Sequence, residues 1–140
     1  GHHPDQIVAW IPELRLLLAF DAVEKPLPLM DDQRCVPDMF STLEYLVALG
    51  PERVLCSHGK STSPQLVADN LHYVREIERR SRLLLRGHRP SDEELEHAST
   101  LIDYPFDEVI AGVDGQIDRT FYGQGHENNI RTVLRWLMEM

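Results

Sequence analysis

Cysteine is scarce in this chain. Cys35 and Cys56 stand far apart and form no C-x-x-C pair, which argues against a disulfide framework or a thiolate zinc site and fits a reducing compartment. Basic residues are outnumbered, with 14 Lys and Arg against 23 Asp and Glu. The net charge of −9 leaves no basic footprint for nucleic acid and would repel an anionic membrane surface. Long apolar runs are missing as well: none exceeds the five residues of Leu16 to Phe20, too few to cross a bilayer. These absences point to a cytoplasmic protein with neither nucleic acid nor membrane as partner. What is present, 42% hydrophobic residues over 140 positions, suits one globular domain or part of one and excludes a disordered chain.

Ile7 to Ile11 and Leu14 to Phe20 are short apolar runs separated by Pro12-Glu13, the pattern of two neighbouring strands in a hairpin. From Ala22 to Pro37 three prolines and the Asp31-Asp32 pair predict a long loop. Phe40, Leu43 and Val47 recur at helical spacing, and Gly50-Pro51 supplies a stop. Arg53 to Cys56 reads as a third strand. Ser63-Pro64 is an N-cap followed by proline, opening a helix that runs to Arg86 with Val67, Leu71, Val74, Ile77, Leu84 and Leu85 on one face. Ser91 and Glu94 have capping-box spacing, and Ile130, Val133, Leu134 and Leu137 predict a last helix over about 127–138. Three strands leave one sheet face and the edges open, so the chain resembles half of a larger fold.

Three metal-ligating residue types stand at strand ends: His2 before the first strand, Asp21 after Leu-Leu-Leu-Ala-Phe, and His58 after Val-Leu-Cys-Ser. Strand ends hold side chains rigidly, and imidazole with carboxylate suits zinc, iron or manganese.

Gly1-His2-His3-Pro4-Asp5, Leu18-Ala19-Phe20-Asp21 and Ser57-His58-Gly59 resemble, in this order, the later metal motifs of the metallo-β-lactamase superfamily, Gly-His-Thr-Pro-Gly, Phe-Gly-Asp and Pro-Gly-His-Gly. The spacings, 19 residues from His2 to Asp21 and 37 from Asp21 to His58, agree with that family. The resemblance extends from residue 1 to about residue 86 and includes Leu49-Gly50 before the strand that delivers the last histidine. His3 stands where threonine is usual, Ala19 replaces the common glycine before the aspartate, and Cys56-Ser57 replaces Pro-Gly. The upstream H-x-H-x-D-H motif has no counterpart in these residues.

The resemblance implies an α/β fold: half of an αββα metallo-β-lactamase-like sandwich in residues 1–62, then a mostly helical segment, 63–140, that packs on the core and covers the active site. It implies a binuclear site of two divalent ions, zinc first and iron or manganese also accommodated. His2 would complete one site, Asp21 would bridge both ions as the catalytic carboxylate, and His58 would complete the other. The activity implied is hydrolysis of a small-molecule substrate, an ester, thioester or lactone, through a metal-bound hydroxide. Because the first residue is Gly and the text opens at the third motif, the N-terminal half of the fold is expected as a partner, from the same precursor or a companion chain. Gly1-His2-His3 as a purification-tag remnant is the competing reading. The alternative function is a non-catalytic subunit or interaction module that retains the half-sandwich, and a homo-oligomer is a further possible assembly.

His126 and Asn129, on the apolar side of the last helix, are candidates for lining a substrate pocket, against the plainer reading of a helix-start histidine bonded to nearby backbone. Arg75, Arg79, Arg82 and Arg86 form a basic stripe that Glu76 and Glu78 mark as a solvated face. His72, His88 and His97 read as surface residues, and Lys60-Ser61-Thr62 as a capped turn.

Overall fold

A computed structural model describes residues 3–140. Among them is a three-stranded mixed sheet in the order β1-β2-β3, with helices from both halves of the chain packed on one face. The class is α/β.

β1 (Ala9–Ile11) and β2 (Leu16–Phe20) form the expected antiparallel hairpin, shorter than the apolar runs because Pro12 opens a 3-10 turn over Pro12–Leu14. Arg15 leaves that turn in the left-handed region, at φ +46. Its carbonyl accepts from the backbone N–H groups of Glu52 and Arg53, which ties the hairpin to β3 (Arg53–Cys56), parallel to β2. Leu17, Ala19 and Val54 point into the core, while Leu16, Leu18 and Leu55 share the opposite face. That second face stays partly open, and Leu55 is 44% exposed.

α1 (Val36–Ala48) starts two residues earlier than the apolar spacing suggests, because Pro37 fits its first turn. The buried stripe is consequently Val36, Met39, Leu43 and Leu46, and Val47 turns outward. Gly50, at φ +61, ends the helix segment. α2 (Gln65–Leu85) buries Val67, Val74 and Ile77 as expected, together with the polar Asn70 and Ser81. Its arginines are paired, Arg75 with Glu44, Arg79 with Glu76 and Arg82 with Glu78, so the stripe is a solvated ionic face. Ser91 and Glu94 form the capping box reciprocally. His72, His88 and His97 are exposed.

Two short helices, α3 (Ala98–Leu101) and α4 (Phe106–Val109), lead to α5 (Arg119–Glu139). α5 begins about eight residues before the predicted start near residue 127, capped by Asp118, whose carboxylate accepts from the Phe121 N–H. Gly123 and Gly125 disguise this first part, since glycine is a poor helix former. Gly125 lets the Leu29 side chain close in: a Cβ there would stand 2.5 Å from its terminal methyl, which would have to move. The long loop after β2 therefore lies against α5, and Ala22, Val23, Leu27 and Met30 are fully buried. The expected loop is irregular but part of the core.

Candidate metal centre

Asp21 follows directly on β2 and His58 lies two residues beyond β3. The parallel pairing of these strands brings their C-terminal ends together, and the Ser57 N–H donates to the Phe20 carbonyl to continue the alignment past the sheet. The register slips between Leu18 and Phe20. Phe20 absorbs that irregularity at φ +49, a backbone conformation that favours glycine. The position whose backbone favours glycine is thus Phe20, and Ala19 is a buried strand residue.

Asp21 Oδ1 stands 3.4 Å from His58 Nε2. Oδ1 is itself shielded from solvent and has no hydrogen-bond partner among the described residues. Two ligands bonded at about 2.1 Å to a tetrahedral zinc lie roughly 3.4 Å apart, so this pair has the separation of one tetrahedral edge. Glu24, which is 2% exposed, joins them: one ligand atom from each of Asp21, Glu24 and His58 lies within 4.8 Å of the others. Two carboxylates and an imidazole are a suitable donor set for zinc, manganese or iron. His2, the third residue expected here, lies outside the described residues.

The surroundings fix this geometry. The Tyr122 hydroxyl, from α5, donates to Glu24 Oε2 at 3.1 Å. Burial, and then the negative charge of Glu24, push the Tyr122 phenol well above its usual range, so it remains a donor. Asn70 of α2 holds the Glu24 backbone at both ends, accepting from its N–H at 2.9 Å and donating to its carbonyl at 2.8 Å. The His58 carbonyl accepts from the Cys56 thiol at 2.9 Å and the Lys25 N–H at 3.4 Å. Burial raises the pKa of the Cys56 thiol, which suits it to this donor role and not to a nucleophile's.

His126 and Asn129 are both fully buried. His126 Nε2 is 2.7 Å from the Tyr104 carbonyl, so it carries the proton, and Nδ1 accepts from the Tyr73 hydroxyl at 2.9 Å. Asn129 accepts from Met30 N–H and donates to the Pro28 carbonyl and to Tyr73. Their polar atoms bind the loop after β2 and the α3–α4 connection to α5, at a distance in sequence that the local-backbone reading of His126 did not anticipate.

The sequence reading missed Glu24, Tyr122 and Asn70. The Asp21-x-x-Glu24 spacing was the available signal for the first; the other two carry none, because they reach the site from distant helices. No protein-family model matches the chain, and no curated protein matches it.

Proposed function

We propose that this chain carries the C-terminal half of a metal-dependent hydrolase of the metallo-β-lactamase fold, acting on an ester, thioester or lactone. The observation that carries the reading is the convergence of Asp21 and His58 from two parallel strand ends, with an unbonded, shielded carboxylate oxygen between them. The open face bearing Leu16, Leu18 and Leu55 supports a second sheet, supplied by an N-terminal half, that completes an αββα sandwich.

In this reading Asp21, Glu24 and His58 would hold divalent metal, zinc first, and His2 would belong to the same ligand group. Bound divalent metal supplies Lewis acidity toward the substrate carbonyl and acidifies water at neutral pH. The chain's own residues do the positioning. Tyr122 and Asn70 orient Glu24, Cys56 and Lys25 hold the His58 backbone, and the Asp21 carboxylate offsets cationic charge at the centre. Of the two candidates for a substrate pocket, Asn129 locks the loop that carries Glu24, and His126 ties α5 to Tyr104 and Tyr73.

Elemental analysis of the protein assembled with its N-terminal half tests this. About two ions per assembled pair, lost together with ester hydrolysis in Asp21→Ala, is the expected result. An assembled particle without metal, stable and inert, would instead establish the non-catalytic interaction module.

A further inference from the structure

Two cavities meet at a single ion pair. One, of about 750 Å³, is bordered by His58, Tyr122 and the segment from Asp114 to Asp118. The other, of about 460 Å³, has a mixed lining in which Leu66, Tyr104 and Val113 stand beside Gln65, Asp69 and His72. Among the described residues Lys25 and Asp114 are the two that line both cavities. Lys25 Nζ stands 2.5 Å from Asp114 Oδ1.

The members of this pair are anchored unequally. Lys25 is built in: it follows Glu24 directly, its N–H bonds the His58 carbonyl, and its side chain is 23% exposed. Gly59, at φ +111, approaches so closely that a Cβ there would be 2.9 Å from Lys25 Cβ. Asp114 is held lightly, with its side chain 94% exposed. Gly112 at φ +76 and Gly115 at φ +92 bracket it, and a Cβ at either would meet nothing within 4 Å. A solvent-exposed ion pair favours contact over separation only about one- to fivefold. Asp114 can therefore leave while Lys25 stays.

We propose that Lys25 and Asp114 form a displaceable partition in one bipartite cleft, and that Asp114 sets the length of acyl chain the site accepts. Short acyl groups fit the compartment beside His58. Longer ones push Asp114 aside and lie along Leu66, Tyr104 and Val113 beyond, which makes the substrate class a medium-chain acyl ester or thioester. The choice of which end reacts rests on the hydrolase reading; the partition itself does not.

The test is binding of 1-butanol, 1-hexanol, 1-octanol and 1-decanol, neutral probes that need neither metal nor turnover. Each methylene that reaches an apolar wall tightens binding about fourfold. In the wild type the gain should stop partway through the series. Asp114→Ala and Lys25→Met should each extend it, tightening 1-decanol at least tenfold while 1-butanol changes less than twofold, and the double variant should match either single one. A series that shifts equally at all lengths, does not shift, or responds in only one variant overturns the partition. Thermal midpoints of the variants check that they fold. Hydrolysis of p-nitrophenyl butyrate and decanoate, run separately, reads the hydrolase assignment: inactivity with a shifted binding series removes that assignment and leaves the partition standing.

Discussion

The Asn70 side chain meets the backbone of Glu24 at both its N–H and its carbonyl, pairing with it as a neighbouring strand would. All four groups are buried, so the amide substitutes for a strand across 46 residues of sequence. Removing it in Asn70→Ala leaves two backbone groups without partners, each worth about 1–3 kcal/mol. Urea unfolding should show a loss of about 2–4 kcal/mol with an unchanged slope. A loss below about 1 kcal/mol would mean that water replaces the amide.

Tyr122→Phe removes the phenol that bonds Glu24 and little else. If Glu24 helps hold metal, affinity should fall about 10- to 100-fold, the usual effect of losing a residue that orients a ligand. Competition with a zinc chelator reads this directly. Equal affinity in the two proteins would confine Glu24 to a structural role.

At Phe20 the usual order of Ala and Gly should reverse. Both substitutions delete the ring, but only glycine accepts φ +49 without strain. Phe20→Gly should be more stable than Phe20→Ala by about 1 kcal/mol, as measured by the difference in unfolding midpoints. Equal midpoints would show that the register slip relaxes when the ring is gone.

His126 predicts an acid-side loss of stability. Burial, opposed by its bond to the Tyr104 carbonyl, holds its pKa below the usual imidazole range, so the fold keeps the neutral ring. Above pH 6.5 both folded and unfolded chains have a neutral ring, and this residue adds no pH dependence. Below it the unfolded chain takes up a proton first, and stability declines by up to about 1.4 kcal/mol per pH unit until the folded pKa is reached. The gap between wild type and His126→Gln in unfolding free energy should narrow as the pH falls from 7 to 5. A constant gap would contradict the burial of a neutral imidazole.

The open sheet face predicts self-association of the chain by itself. Leu55→Lys places a charge on that face without touching the core side, where Val54 is buried. Sedimentation should show smaller species for the variant, with stability within about 0.5 kcal/mol of the wild type. An unmodified chain that is monomeric when dilute would remove the argument for a missing sheet.

Asp21, His58 and the three strands were legible because apolar runs bound the strands and the two residues follow their ends, whereas the parallel pairing of β2 with β3 was not. Glu24 was not, because its position is decided by Asn70 and Tyr122, which no local pattern connects to it. The same reason hid the packing of residues 22–35. Prolines there correctly exclude regular structure, but whether an irregular segment is buried depends on distant partners such as Asn129. The start of α5 was obscured for a different cause: the glycine that weakens its helical signal is the one that lets Leu29 pack against it.

Asn129 binds Pro28 and Met30 from about 100 residues downstream. A ribosome adding about 5–20 residues each second takes roughly 5–20 s to cover that interval. Throughout it the helix that secures the loop after β2 is still unmade. The segment from Asp21 to Met30 thus stays unfastened until α5 has been made, and a chain that stops before α5 would be released with that loop unsecured.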